Sequence, residues 1–186
     1  MSDNSYEYII KQKNEGKVLL KKIALIVLYL LFPIILSILT VAFASPAVFI
    51  PLFLLIIAIT ALLAFITWRF SCVEYEVIIG GGDILFTAIY GKGFRKQILN
   101  KGINSFFEIG EYDDRAYEMI SKISIQKNYI CLSSLSADSI YYALFEEDKD
   151  QCIVYFDAPE KAVELLKKHN AGAFRANEKR IKGQAK

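Results

Sequence analysis

The chain has 186 residues, room for one globular domain and an addition. Its hydrophobic fraction of 54% and mean hydropathy of +0.34 exclude an ordinary soluble domain. Charge is nearly balanced, with 22 Lys and Arg against 20 Asp and Glu, and three cysteines without paired spacing exclude a disulfide scaffold.

Residues 1–22 mix Asp3, Glu7 and Glu15 with lysines and read as a cytoplasmic N-terminal segment. Ile23 to Ala44 is free of charge, and so is Ala47 to Trp68. Runs of about 22 residues make helices of roughly 33 Å, enough to cross a hydrocarbon core of about 30 Å. Ala42-Phe43-Ala44 resembles a signal-peptide cleavage site, but the run is long for a signal core and a second span follows at once. Ser45-Pro46 suits a turn, so the spans form an antiparallel hairpin over 23–68. Pro33 falls near the middle of the first span and Pro51 in the first turn of the second.

Lys17, Lys21 and Lys22 precede the first span, Arg69 follows the second, and the turn is uncharged. Positive flanks stay inside, which predicts a multi-pass cell-membrane protein with both termini cytoplasmic. Cys72, Cys131 and Cys152, an odd number, suit a reducing compartment. Trp68 fits the inner interface. Neither span holds an ionisable residue of the kind that lines transport paths, so the hairpin reads as an anchor. The hydroxyls of Ser37, Thr40, Thr60 and Thr67 are expected to bond within their own helices.

From Cys72 the period changes. Val73 to Val77 alternates apolar and charged, Gly80-Gly81-Gly82-Asp83 supplies a turn, and Ile84 to Tyr90 reads as the hairpin partner. Further strands are predicted at 94–99, 104–109, 129–133, 140–145 and 152–156, with 111–122 as a loop or helical turn. Asp157 is the expected N-cap of a closing helix, with Pro159 in its first turn and Glu160 at the capping-box position. Ala162, Val163, Leu165 and Leu166 form its apolar stripe. The fold class is a membrane-anchored α+β protein with a curved antiparallel sheet, its domain at 72–170, followed by a basic flexible tail at 171–186.

No reactive set converges. His169, the single histidine, stands beside Lys167 and Lys168 at a helix end, where its charge suits the dipole. Gly80-Gly81-Gly82 and Gly91-Lys92-Gly93 join strands, whereas a phosphate loop needs a following helix. No metal, cofactor or catalytic residue is expected. Lys92, Arg95, Lys96 and Lys101 cluster around one hairpin and are candidates to face lipid head groups or an acidic partner. Residues 70–166 hold 9 basic and 16 acidic residues, a net of −7, whereas 167–186 hold 7 basic and one acidic, a net of +6. Arg175, Lys179, Arg180 and Lys182 of that tail are the other candidates, drawn to an anionic leaflet. Nucleic acid is not expected, since Phe174 alone could stack a base there.

The strand order followed by one amphipathic helix resembles the pleckstrin-homology-like fold. The whole chain is similar to small bacterial proteins, many uncharacterised, that join a transmembrane hairpin directly to such a domain. The resemblance implies a β-barrel or sandwich closed by the C-terminal helix. Lipid-binding eukaryotic members carry basic residues on and between their first two strands, where this chain has Glu74, Glu76 and Asp83. The resemblance therefore implies the fold and not phosphoinositide binding. The expected function is a membrane-tethered, non-enzymatic scaffold or regulatory module that binds a protein partner or itself. The alternatives are an accessory subunit of a membrane transport complex, or an enzyme on a membrane-associated substrate.

Overall fold

A computed structural model of the protein describes residues 5–43, 45–91, 93–134, 137 and 139–174. The candidate tail residues Arg175, Lys179, Arg180 and Lys182, and Lys92, lie outside the described residues. The chain divides into two units, one formed by residues 13–73 with 90–93 and the other by the remainder.

The first unit is a helical hairpin of α1 (Gly16–Phe43) and α2 (Pro46–Ser71). Ser45 is extended and Pro46 opens α2, a position where the missing N–H costs nothing. Val18–Ala42 and Val48–Ser71 are long and apolar enough to cross a membrane. A core helix of that length would be buried, yet Leu30, Ile38, Ile50 and Phe65 are all more than 60% exposed. The hydroxyls are satisfied within the helices as expected. Ser37 donates to the Pro33 carbonyl at 2.6 Å, Thr60 to Ile56 at 2.8 Å and Thr67 to Leu63 at 2.5 Å. A hydrogen bond between the Tyr29 and Thr67 hydroxyls ties α1 to α2.

The second unit begins with a strand that the sequence analysis does not include. Residues Ser5–Lys11, ahead of the hairpin, form β1. It pairs antiparallel with β2 (Val73–Gly80) in a continuous register from Ser5 opposite Gly80 to Lys11 opposite Glu74. β3 (Asp83–Tyr90) and β4 (Phe94–Gly102) complete a four-stranded sheet in the order β1-β2-β3-β4. Gly81 and Gly82 turn β2 into β3 with φ of 64° and 90°, values open to glycine but strained for other residues.

The second sheet contains β5 (Phe106–Glu111), β6 (Lys127–Cys131), β7 (Ile140–Glu147) and β8 (Asp150–Asp157), in the order β5-β7-β8-β6. Two features differ from expectation. β6 runs parallel to β8, because the segment after β5 crosses to the far edge instead of turning back. The ladders form two four-stranded sheets and do not close into a barrel. Residues 111–122, expected as a loop or helical turn, contain α3 (Asp114–Ile120), capped by Asp113, whose carboxylate accepts from the Ala116 amide at 2.7 Å.

Both sheets contribute to one core, with Val77, Ile79, Ile84 and Phe86 from the first and Phe145, Val154 and Phe156 from the second. α4 (Glu160–His169) adds Ala162, Val163, Leu165 and Leu166, as its stripe predicts. Its N-cap is Pro159 and not Asp157. Asp157 ends β8 instead, where its carboxylate accepts from the Ser133 amide at 2.9 Å. α3 covers the other face of the second sheet, packing Ala116 and Ile120 on Tyr142, Leu144 and Ile153. β7 is consequently buried on both faces.

β1 is fastened by more than its ladder. Ile10 is 5% exposed in the core, and Tyr8 donates to the Asp157 carbonyl at 3.0 Å. Burial pushes the Tyr8 phenol well above its ordinary range, which keeps that donor protonated. Lys161 of α4 lies 5.0 Å above the Tyr6 ring. Ile10→Ala is expected to destabilise this unit by about 2–4 kcal/mol. Hydrogen exchange of the full chain should show faster exchange in β2, while Ile9→Ala, at a 49% exposed position, leaves it unchanged. Equal protection in both variants would mean that β1 carries no structural weight.

Candidate functional site

Of the basic residues expected to cluster around one hairpin, Arg95 and Lys101 each take a carboxylate partner. Arg95 of β4 pairs with Glu76 of β2 at 3.1 Å, spanning β3; Glu76 is buried and the Arg95 side chain is 65% exposed. Lys101, at the other end of β4, bonds Glu147 of β7 at 2.6 Å and lies 5.6 Å from the Phe145 ring. Lys96 is exposed. Two of the four candidates thus serve ion pairs inside the domain.

Glu147 is the centre of a larger charged cluster. The turn through Asp148 and Lys149 sets Glu147 directly opposite Asp150 in the β7–β8 ladder. Like charges in that position repel. Lys127 of β6 relieves the repulsion, lying 3.6 Å from Glu147 and 3.4 Å from Asp150. Tyr129 donates to Glu147 at 3.4 Å. The hydrogen bond from Lys101 holds the Glu147 carboxyl below its ordinary value of 4.5, and Lys127 is held above its own, chiefly by Asp150. The cluster joins β4, β6, β7 and β8 electrostatically, a structural use of charge.

Among the described residues, the reactive side chains lie in separate places. Cys131 and Cys152 are buried in β6 and β8; burial pushes the Cys131 thiol up to about 12 and raises Cys152 as well. Thiols so held are poor nucleophiles at neutral pH. His169 ends α4 after Lys167 and Lys168, and its Nε2 is buried without a hydrogen-bond partner. A buried Glu108 accepts from Tyr142 at 2.7 Å beneath α3. Among the described residues, no group of three or more His, Cys, Asp and Glu is placed to hold a metal ion.

The hairpin unit holds a feature of another kind. A groove of about 600 Å³ is lined by Tyr29 of α1, by Ala64, Phe65, Trp68 and Arg69 of α2, and by Cys72 and Gly91. Its walls are mostly apolar, and Arg69 is the one charged residue among the described lining residues. Gly91 has φ of 54°, and a Cβ there would overlap the Arg69 stem and stand 3.0 Å from the Arg69 carbonyl oxygen. A Cβ on Gly93 would lie 2.5 Å from Arg69 Nη2. The two glycines leave the space that the arginine fills. In the sequence Arg69 reads only as an orientation signal and the glycines only as a turn, since the contact between them is not local.

The family described as bacterial PH-like domain (DUF6106) matches residues 2–175, a stretch that includes β1 and both helices as well as the two sheets. No curated protein and no solved structure matches the chain.

The folded Glu147 carboxyl is held low, so its contribution to stability is present above its ordinary value and is lost as pH falls through the depressed one. The melting temperature should therefore drop as pH is lowered from about 5 to 3. The drop should be shallower in Glu147→Gln, measured by circular dichroism on the full chain in detergent. Parallel curves would show that the cluster adds nothing.

Proposed function

We propose that this chain, a member of the bacterial PH-like domain family, is a membrane-tethered module without catalytic activity. In this reading it holds a protein partner, or a second copy of itself, at the inner face of the membrane. The observation that carries the tether is the β1–β2 pairing. β1 precedes the helical hairpin and β2 follows it, and the two are neighbours over seven residues. A chain that leaves a sheet and returns to the adjacent position must have both flanks in one compartment. Two helices, largely exposed and free of Asp, Glu, Lys, Arg and His from 23 to 44 and 47 to 68, suit one outward and one inward crossing. A signal peptide cut after Ala44 would discard β1, so the pairing also favours an uncleaved anchor. Positive flanks at Lys21, Lys22 and Arg69 favour the cytoplasm as that compartment.

The non-enzymatic part rests on the disposition of polar groups. The buried thiols are held protonated, the single histidine ends α4 after two lysines, and the clustered acids neutralise lysines. A binding role suits such a surface better than a chemical one. It also suits the absence of clustered basic residues on the β2–β3 hairpin, which carries Glu74, Glu76 and Asp83.

Topology tests the tether. In a Cys72→Ala background, the buried Cys131 and Cys152 stay silent. A membrane-impermeant maleimide should then label Ser45→Cys in intact cells, and label Lys96→Cys only after lysis. Labelling of Lys96→Cys from outside would reverse the orientation. The binding role is tested by cross-linking the full chain in its own membranes. A discrete adduct that survives in a hairpin-only chain would assign the interaction to the helices and not to the domain.

A further inference from the structure

We infer that the groove beside Arg69 seats one anionic glycerophospholipid, with its phosphate on the guanidinium and an acyl chain along Ala64 and Phe65. The inference rests on the tether reading and gives it a ligand. Four observations lead to it. First, the groove is divided chemically: among the described lining residues, mostly apolar walls meet one cation, Arg69. That is the polarity of a phospholipid, apolar along its length and negative at one end. At about 600 Å³ it also falls within the range of small-molecule sites.

Second, the cation is available. Arg95 and Lys101 already hold carboxylates, whereas among the described residues no carboxylate forms an ion pair with Arg69. A guanidinium offers forked donors that match a phosphate oxygen pair.

Third, the cation is positioned before any ligand arrives. Gly91 and Gly93 lie where a side chain would collide with the Arg69 stem and with Nη2. Backbone packed along the stem limits its rotamers, so less freedom is lost when an anion binds. Tyr29 is likewise fixed as a wall by its bond to Thr67.

Fourth, the depth is right. Arg69 lies in the last turn of α2 after Trp68, whose ring is 41% exposed, and indoles favour the head-group level. From there the groove passes Phe65, 76% exposed, toward the apolar middle of the helix. A zwitterionic lipid presents the same phosphate but also an ammonium that competes for it, so an anionic head group is preferred.

The test uses the full chain, purified in detergent and titrated with dioleoyl phosphatidylglycerol or dioleoyl phosphatidylcholine. Native mass spectrometry reads the fraction carrying one lipid. The wild type should bind phosphatidylglycerol more tightly than phosphatidylcholine. Arg69→Ala should weaken phosphatidylglycerol binding about tenfold and erase the preference, while Arg69→Lys retains part of it. Ala64→Phe, which fills the groove, should weaken binding of both lipids. Equal affinity of the wild type for the two lipids, or an unchanged Arg69→Ala, overturns the site. An unchanged Ala64→Phe overturns the groove as the acyl seat. Carbonate extraction of the parent membranes separates the two readings. A chain that resists carbonate but shows no lipid preference loses only the lipid site; one released by carbonate loses the tether and the lipid site together.

Discussion

The pairing of β1 with β2 constrains everything else in this protein. Lys11 stands opposite Glu74, so the chain leaves the sheet at one strand end and re-enters at the neighbouring one. Everything from Gln12 to Cys72 is therefore an insertion into a single antiparallel strand connection. Adjacent strands lie about 4.8 Å apart and packed helices about 8–10 Å. An antiparallel helical hairpin is the natural filling of such a connection, since its two ends lie side by side. An odd number of crossings would separate β1 from β2 and leave Tyr8 and Ile10 without their core. The family match from residue 2 onward is consistent with this, because the matched unit takes in the strand before the helices as well as the sheets after them.

The same constraint explains how the domain is held. Chain enters the insertion from β1 and returns into β2. In the proposed arrangement the hairpin is a tether with two attachment points. Rigidity within the sheets has further sources. Glu147 and Asp150 bind lysines from β4 and β6, and Asn170 donates to the carbonyls of Ile103 and Phe106 at 2.9 and 2.8 Å, closing the end of α4 onto the turn before β5. These interactions consume charge that would otherwise be exposed, and they leave Arg69, in the hairpin unit, as a cation without an ion-pair partner among the described residues.

Local signals in the sequence were legible and non-local ones were not. The β2–β3 hairpin is visible because Val73 to Val77 alternates and two glycines mark the turn. α4 is visible because its stripe recurs at helical spacing. β1 carries a signal too, since Tyr6, Tyr8 and Ile10 alternate with Ser5, Glu7, Ile9 and Lys11. Its partner lies beyond the whole hairpin, however, and a lone strand has no local reason to exist. The parallel placement of β6 beside β8 was hidden for the same reason, since turn chemistry does not report a crossover. α3 was readable from Asp113 and the spacing of Ala116, Met119 and Ile120, but seven residues give little periodicity. At the candidate sites, nearness along the chain suggests a basic cluster of Lys92, Arg95, Lys96 and Lys101 around one hairpin. Arg95 and Lys101 instead find Glu76 and Glu147, which are distant in sequence. The seat of Arg69 on Gly91 and Gly93 was equally out of reach.

The central claim is that strands on either side of the hairpin pair in the membrane-embedded protein. Disulfide trapping in native membranes measures it most directly. Glu7 and Ile78 are direct partners, whereas Glu7 and Glu74 are out of register on the same ladder. With the native cysteines replaced, Glu7→Cys with Ile78→Cys should oxidise to an intramolecular bond, and Glu7→Cys with Glu74→Cys should not. Failure of the first pair to close, or equal closure of both, would contradict the account.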